Sequence, residues 1–362
     1  MRRLLTSFTL ALGGCVIAVL LLEFVVRMTP LGRPPLDLRG LHERRPDRPW
    51  LYGMRPGVDV TVSTSGAVRY SVNADGFRGP RGLRPKPPGT FRIVVIGDSV
   101  AFGFGVDEAD TFARVLATRL SALAGETRVE VLNLAVSGYN PYTEAALFRD
   151  VGVQYQPDLV LVQFCVNDLN DPTLHFDAST LLALHDLPDA AFPDPASRRP
   201  LAPPSVPARL CQQLRVCTLA RERLGIGEPD PREMLSALAP HDEPGPTEQA
   251  WLRRQYGEIA RAAQGVGAPT VLVVFPYEGQ LEPNASNSLQ RHLASLDDTQ
   301  SWYTIDLLPT FRNAADSTTS PLFLDLWHPT STGHRVAGEA IAHQLSCAGL
   351  VPWRDPACPP TS

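Results

Sequence analysis

Short apolar runs alternate with segments of helical spacing between residues 91 and 346 of this chain. The apolar runs, which show no regular polar alternation, lie at residues 91–96, 129–134, 159–164, 271–275 and 302–307. The helical segments lie at residues 111–123, 142–153, 247–264 and 330–345. Strands that are apolar on both faces and separated by helices are typical of a parallel sheet covered by helices on both sides. We therefore predict an α/β domain with five parallel strands, in which ligands gather at the carboxyl ends of the strands.

The length and composition of the chain limit what else it can be. A chain of 362 residues suits one sizeable α/β domain plus attachments, and 44% hydrophobic residues are enough to bury its core. The net charge of −5 provides no basic field, so we expect no nucleic-acid partner. The His, Cys and carboxylate residues lack the spacing of a metal site, and we expect neither a metal nor a cofactor. No feature of the sequence indicates an oligomeric state.

An N-terminal apolar segment predicts a membrane anchor. Two arginines precede a mostly apolar run at residues 4–26, which as a helix is long enough to cross about 30 Å of hydrocarbon. We therefore predict a single-pass anchor in the inner membrane, with the main domain in the periplasm or another space outside the cytoplasm. A cleaved signal peptide is one alternative, but the apolar run is long for one and no Ala-x-Ala site follows it. A lipoprotein processed at Cys15 is another, but an apolar stretch follows this cysteine where a lipoprotein usually has a polar tether. Several arginines follow the run and argue against this orientation, because positive charge favours the cytoplasmic side.

The cysteines favour an oxidising compartment. Of the six cysteines, Cys15 lies in the predicted anchor and Cys165 in a strand-like apolar run, which leaves four. Their close spacings suggest the bridges Cys211–Cys217 and Cys347–Cys358, although four cysteines allow three pairings. Paired cysteines indicate export of the domain, whereas free cytosolic thiols are the alternative.

Two irregular regions accompany the alternating pattern. Residues 27–90 form a connector rich in Arg, Pro and Gly, with short predicted strands at residues 58–62 and 67–72. Residues 170–246 form a proline-rich insertion after the end of a strand, which is either a lid or substrate-recognition loop or a disordered spacer. The predicted organisation is an anchor, a connector, a main domain that contains the insertion, and a C-terminal tail, at residues 1–26, 27–90, 91–346 and 347–362.

Gly97-Asp98-Ser99 directly follows the first predicted strand of the main domain. The serine lies where a strand ends and a helix can begin, so we expect its hydroxyl to be exposed and its own N–H to be available to an anion. A serine hydroxyl is a poor nucleophile at neutral pH and needs an adjacent base. The position of Ser99, more than the three-residue pattern, makes it the candidate nucleophile.

Asp325 and His328 supply a candidate base and its partner near the end of the domain. The histidine can take the serine proton, while the aspartate three residues earlier fixes its tautomer and stabilises the imidazolium. Pro329 opens the next helix, so this segment is a loop in which both side chains can turn to one site. His334 is the competing histidine, but it falls inside the last predicted helix.

Two other predicted strand ends offer donors for a developing oxyanion. Gly138 lies in a turn after the second strand, where the absence of a side chain lets a backbone N–H approach a ligand. Asn167 follows the third strand and can direct its side-chain amide to the same edge of the sheet. Five features therefore converge on one edge, a pattern that unrelated turns do not readily explain.

With these residues, the chain resembles the SGNH, or GDSL-type, hydrolases over about residues 91–346. The resemblance is carried by three longer stretches, at residues 96–106, 131–140 and 327–334. It implies a three-layer α/β/α sandwich around a five-stranded parallel sheet. It also implies a role for each candidate residue. Ser99 is the nucleophile, His328 the base and Asp325 its orienting acid, while the oxyanion hole consists of the Ser99 N–H, the Gly138 N–H and the Asn167 side chain.

The sequence departs from the family pattern at Cys165, where the family commonly has glycine two residues before the asparagine. A side chain there could narrow the acyl pocket or shift Asn167. Asp98 and Asp168 are interpreted as local hydrogen-bond partners. Residues 72–79 resemble a segment of anchored bacterial relatives, to which we assign no catalytic role.

We favour a serine esterase that removes ester groups, O-acetyl above all, from an extracytoplasmic carbohydrate or a small ester through an acyl-enzyme. An O-acyltransferase that modifies an envelope or exported polysaccharide is the alternative with the same intermediate. A non-catalytic carbohydrate-binding component is the third hypothesis. The complete set of Ser, Gly, Asn, Asp and His argues against it, because a binding module has no need of a base and its partner.

Overall fold

The computed structural model describes residues 7, 13–14, 18–25, 41–45, 48–50, 52–63, 67–169, 243–296 and 301–360. The chain divides into two compact units, Met1–Asp37 with Arg199–Ala239, and Leu38–Arg198 with Pro240–Ser362. The described residues of the first unit are helical. Within the described ranges, no helix has the length and apolar character needed to cross a membrane. Most of the predicted anchor and insertion, and the Cys211–Cys217 pair, lie outside these ranges.

The second unit is built on a parallel sheet that two small hairpins precede. The hairpins pair β1 (His42–Arg44) with β2 (Tyr52–Met54) and β3 (Asp59–Ser63) with β4 (Ala67–Ser71), both antiparallel. The sheet contains β5 (Thr90–Ile96), β6 (Arg128–Asn133), β7 (Leu159–Phe164), β8 (Thr270–Val274) and β9 (Tyr303–Asp306). Its order is β6-β5-β7-β8-β9 and every pairing is parallel, which confirms the predicted fold class.

Seven helices follow the alternation within the described part of this unit. They are α1 (Ser99–Phe102), α2 (Phe112–Ala124), α3 (Pro141–Asp150), α4 (Pro246–Gln264), α5 (Ser288–Ala294), α6 (Leu308–Ser317) and α7 (Ser331–Cys347). Short 3₁₀ helices span Glu108–Asp110, Gly152–Tyr155, Val166–Leu169 and Glu278–Leu281. Side-chain caps begin three of the longer helices, since Thr111, Asn140 and Thr330 accept hydrogen bonds from first-turn N–H groups.

Chain direction places these helices in two layers. The step from β5 to β6 runs one way across the sheet, and the steps from β6 through β7 to β8 run the other way. Because such crossovers are right-handed, α2 lies on one face while α3 and α4 lie on the other. Contacts agree with this arrangement, since α2 packs on α7 and α3 packs on α4.

The hydrophobic core extends beyond the sheet into the upstream hairpins. Apolar side chains of the upstream segment belong to the same buried cluster as the strands: Leu41, Trp50, Tyr52, Met54, Tyr70, Val72 and Phe77. Residues of the predicted connector therefore pack against the main domain, which places them close to the edge where β5 and β6 end.

Candidate active site

Ser99 is the first residue of α1 and lies directly after the end of β5. Asp98 caps this helix, because its Oδ1 accepts the Val100 N–H at 2.8 Å. Gln163 in β7 ties the same turn to the neighbouring strand, since its Oε1 accepts the N–H groups of Asp98 and Ala101. The serine is therefore held at a fixed point on the carboxyl edge of the sheet.

His328 and Asp325 lie within hydrogen-bond distance of Ser99 in a continuous chain of contacts. His328 Nε2 is 2.8 Å from Ser99 Oγ, and His328 Nδ1 is 2.7 Å from Asp325 Oδ2. Burial is the largest single effect and acts to raise the pKa of Asp325, but the hydrogen bonds from His328 and Trp327 and the charge of the imidazole together outweigh it, and the pKa is lowered. An ionised carboxylate on Nδ1 selects the tautomer whose Nε2 can accept the serine proton.

The loop between α6 and α7 sets the direction of both side chains. Asp325 Oδ1 accepts the backbone N–H groups of Trp327 and His328 at 3.1 and 2.9 Å. The Leu324 N–H donates to the carbonyl of His328 at 2.7 Å, which closes the loop on itself. Residues 325–328 therefore form a compact turn, in which the Asp325 carboxylate binds both the His328 ring and the backbone of the loop.

Gly138 and Asn167 lie at the ends of the strands that flank β5. Gly138 has φ +86°, a left-handed conformation that glycine adopts without strain, in a turn closed by the Tyr139 N–H and the Val136 carbonyl. Asn167 lies in the 3₁₀ helix after β7 and is 8% exposed. Its Nδ2 donates to Asp98 Oδ2 at 2.8 Å, which leaves a second hydrogen on the same nitrogen for another acceptor.

Asp98 and Asp168 are fully buried behind the serine and the asparagine. Asp168 Oδ2 accepts the Cys165 N–H at 3.0 Å and thereby holds the turn that carries Asn167. Burial raises the pKa of both carboxyls, and for Asp168 the nearby Asp98 raises it further. Both aspartates hold the backbone and the asparagine of the site, as the sequence predicts.

Cys165, the departure from the family pattern, begins the turn that carries Asn167. Its side chain is buried and 2% exposed, and it belongs to the core cluster. The Asp168 N–H donates to the Cys165 carbonyl at 2.9 Å, so each of these two residues accepts a hydrogen bond from the backbone N–H of the other. The departure from the family pattern is therefore absorbed into the core.

Two aromatic side chains flank His328. The rings of Phe104 and His328 are 4.5 Å apart, and those of Trp327 and His328 are 6.1 Å apart. Both aromatic residues are partly exposed. Both therefore offer a partly exposed apolar ring next to the His328 imidazole.

Arg78 holds the loop that carries Phe104. Its guanidinium is buried and donates to the carbonyls of Phe102, Gly103 and Val106. The same group lies 4.7 and 5.0 Å from the ring centres of Tyr70 and Phe102, which stack on each other. Burial lowers the pKa of Arg78 to about 10, so it stays charged at neutral pH. This arginine belongs to residues 72–79, the stretch of the upstream segment that resembles anchored bacterial relatives.

His334 takes no part in this arrangement. It is fully buried in α7, and its Nδ1 accepts the Phe112 N–H at 3.2 Å. Burial is the largest of the effects that lower its pKa, which falls to about 3. The structure therefore separates the two candidate histidines and brings His328 to Ser99.

A second cluster of His and Cys side chains lies at the end of α7. His343, Cys347 and Cys358 approach one another closely, and His343 Nδ1 is 3.1 Å from Asp355 Oδ2. Cys347 and Cys358 are joined by a disulfide, with their Cα atoms 5.3 Å apart. Sulfurs bonded to each other offer no thiolate, so the cluster is a bridged helix end rather than a metal site.

The chain is similar to one known protein family and to several solved structures. The model of the GDSL-like lipase/acylhydrolase family matches residues 95–336. Among solved structures, TesA is 14% identical with a TM-score of 0.43, covering 72% of this chain and 99% of that chain. A catalytic mutant of Axe2, an acetylxylan esterase from Geobacillus stearothermophilus, is 15% identical with a TM-score of 0.40, covering 69% and 92%.

A two-domain esterase (CEX) active on acetylated mannans is 12% identical with a TM-score of 0.41, covering 75% of this chain and 52% of that chain. No curated protein matches the sequence. The family match spans more than half of the chain. The chain therefore belongs to the GDSL-like lipase/acylhydrolase family and is a serine hydrolase that acts on ester bonds.

Proposed function

We propose that Ser99, His328 and Asp325 form the catalytic triad of this esterase. The observation that carries the proposal is the continuous chain of contacts from Asp325 Oδ2 through the imidazole to Ser99 Oγ, at 2.7 and 2.8 Å. A base at this distance can remove the serine proton as the oxygen attacks an ester carbonyl. The backbone N–H groups of Ser99 and Gly138 and the Asn167 amide are assigned to the oxyanion hole.

The reaction proceeds in two balanced steps. Ser99 Oγ bonds to the carbonyl carbon while its proton passes to His328, and collapse of the tetrahedral intermediate returns that proton to the leaving alcohol. Water then attacks the acyl-serine, giving its proton to His328, and the serine hydroxyl is regenerated as the acid leaves. Asp325 remains ionised throughout and stabilises the imidazolium.

The substrate proposed is an O-acetylated carbohydrate. His328 delivers the proton to the leaving alcohol, so this alcohol lies beside the rings of Phe104 and Trp327. Partly exposed aromatic faces suit the apolar C–H faces of a sugar ring.

An ester panel tests the triad and the substrate together. The full-length chain in detergent should hydrolyse acetylated sugars faster than long-chain acyl esters. Ser99→Ala should lower kcat at least about 1000-fold, because no other group replaces the nucleophile. Ser295→Ala is a matched control, since the hydroxyl of this exposed serine donates to the His292 carbonyl at the end of its own helix.

The same panel discriminates between outcomes. A fluorophosphonate should label the wild-type chain and spare Ser99→Ala. Turnover by Ser99→Ala at the wild-type rate would contradict the assignment of the triad. A preference for long-chain esters would contradict the proposed carbohydrate substrate but not the triad. An acetylated product formed from an added sugar acceptor would indicate acyl transfer.

We also propose that the N-terminal segment anchors the chain and that the domain works outside the cytoplasm. The apolar run at residues 4–26 supports the anchor. The disulfide between Cys347 and Cys358 supports an oxidising compartment, because such bonds are rarely retained in a reducing cytosol.

A further inference from the structure

The hairpin of β1 and β2 contacts the turn that carries Gly138. His42 Nε2 lies 3.2 Å from the carbonyl oxygen of Ser137. The Tyr139 hydroxyl donates to the Tyr52 carbonyl at 2.5 Å, and the rings of Tyr52 and Tyr139 meet edge to face at 5.1 Å. A segment more than 80 residues upstream thus touches the turn on both sides of the glycine.

The contact of His42 falls on the peptide group that links Ser137 to Gly138. This peptide is trans, so its carbonyl and its N–H lie in one plane and point in opposite directions. A bond that fixes the Ser137 carbonyl therefore fixes the direction of the Gly138 N–H. Because a carbonyl can only accept, Nε2 carries the proton in this contact.

We propose that His42 is a positioning residue for the oxyanion hole. It holds the Ser137 carbonyl so that the Gly138 N–H points at the oxyanion, and it polarises the same peptide group, which strengthens that N–H as a donor. The inference rests on the proposed function, since it needs Gly138 to stabilise the oxyanion. It adds to the site a residue that lies outside the matched family region, residues 95–336.

Docking of the hairpin does not depend on this bond. Tyr52 packs on Tyr139 and its backbone carbonyl accepts a hydrogen bond from the Tyr139 hydroxyl, and Leu41, Tyr52 and Met54 are buried in the core. His42 is only partly buried, and its ring packs on Tyr52 with centres 5.5 Å apart. A substitution that keeps a ring at this position should therefore preserve the fold while removing the donor.

Two substitutions of His42 in the full-length chain distinguish the effect of its hydrogen-bond donor from the effect of its ring packing. His42→Phe keeps an aromatic ring against Tyr52 and removes the donor, whereas His42→Gln keeps an N–H donor at a similar distance from the backbone. His292→Phe is the matched control, because His292 Nδ1 contacts the Ser288 carbonyl at 2.8 Å on a remote helix. The measurements are kcat and KM for nitrophenyl acetate and the inhibition constant of a small alkylboronic acid, which forms a tetrahedral anion on the serine.

We expect His42→Phe to lower kcat about 3- to 10-fold at unchanged KM, as loss of one hydrogen bond predicts. The boronic acid should bind more weakly by the same factor, while His42→Gln should recover most of both losses and His292→Phe should match the wild type. Wild-type kcat in His42→Phe overturns the inference, and so does an equal loss in His42→Gln. If the wild-type chain hydrolyses no ester, it is the proposed function that fails.

Discussion

His328 and His334 lie six positions apart in the chain but have opposite environments. The first contacts Ser99 and an ionised aspartate, and its side chain is 13% exposed. The second is fully buried and, within the described part of the chain, its ring bonds only the Phe112 N–H, so it is kept neutral. Sequence spacing favours His328 because helix α7 begins after it, and the structure gives the physical reason: the helix carries His334 into the core.

The buried neutral histidine makes stability dependent on pH. The folded pKa of His334 is about 3, while an unfolded histidine titrates near 6.5. The unfolded state therefore binds the proton first as the pH falls, so stability is complete above about pH 6.5 and is lost between about pH 6.5 and 3. This residue alone should lower the free energy of unfolding by about 2 kcal/mol between pH 7.5 and 5.

His334→Asn tests this linkage, because its amide oxygen can accept the Phe112 N–H but does not titrate. The variant should keep ester hydrolysis at neutral pH and lose about 2 kcal/mol less than the wild type between pH 7.5 and 5, measured by urea unfolding. Equal losses in the two proteins would contradict the assignment of the pH dependence to this histidine.

At the scale of elements, the one-turn helix α1 depends on groups at both of its ends. Asp98 binds its first turn, and Arg78 binds the carbonyls of Phe102 and Gly103 at its end. Gly103 has φ +81°, and a side chain there would meet Arg78 Nη1 at 2.9 Å, so the turn and the guanidinium fit each other closely. The element that carries the nucleophile is therefore held from the upstream segment.

Arg78→Met should destabilise the fold and slow the reaction. It removes the guanidinium donor from three buried carbonyls, and we expect a loss of about 3 kcal/mol in the free energy of unfolding. We also expect kcat to fall several-fold, because the loop that places Phe104 against His328 loses its support. Arg81→Met is the matched control. Arg81 is 58% exposed and pairs with Asp75, so its removal should change stability by less than about 1 kcal/mol.

Urea unfolding and steady-state kinetics, at a temperature where every variant is folded, check both effects. If Arg78→Met matches Arg81→Met in stability, the guanidinium contacts do not hold the loop. A large loss of stability with unchanged kcat would restrict Arg78 to a purely structural role.

The elements that sequence reasoning recovers are those with a long periodic pattern. All five sheet strands and the helices α2, α3, α4 and α7 were predicted within a few residues. The helix α6 was missed because only Leu308 and Phe311 are buried in it, which is too few to mark a face. The strands β1 and β2 have three residues each, too short for an alternation to show.

Across the whole molecule, amino-acid composition predicts the structure least well for the upstream segment at residues 27–90. Its Arg, Pro and Gly content indicates a connector, yet its aromatic residues are buried in the core of the main domain.

The candidate triad and oxyanion residues could be chosen from strand-end positions because parallel topology brings those ends together. The contacts of His42 and Arg78 could not be predicted in this way, because they depend on tertiary packing. His42 contacts a residue 95 positions away in the chain, and Arg78 contacts residues 24 to 28 positions away.

The proposed location of the molecule can be tested through its disulfide. In a bacterial host, the full-length chain should stay with the membrane fraction after an alkaline wash, as expected for an apolar anchor. If the domain lies in an oxidising compartment, Cys347 and Cys358 are bridged and do not react with a maleimide polymer in denaturant. The wild type and a Cys347→Ser/Cys358→Ser variant should then react to the same extent before reduction. After reduction the wild type should take up two more labels. Two extra labels on the wild type without reductant would place the domain in a reducing compartment, and release of the chain by the wash would refute the anchor.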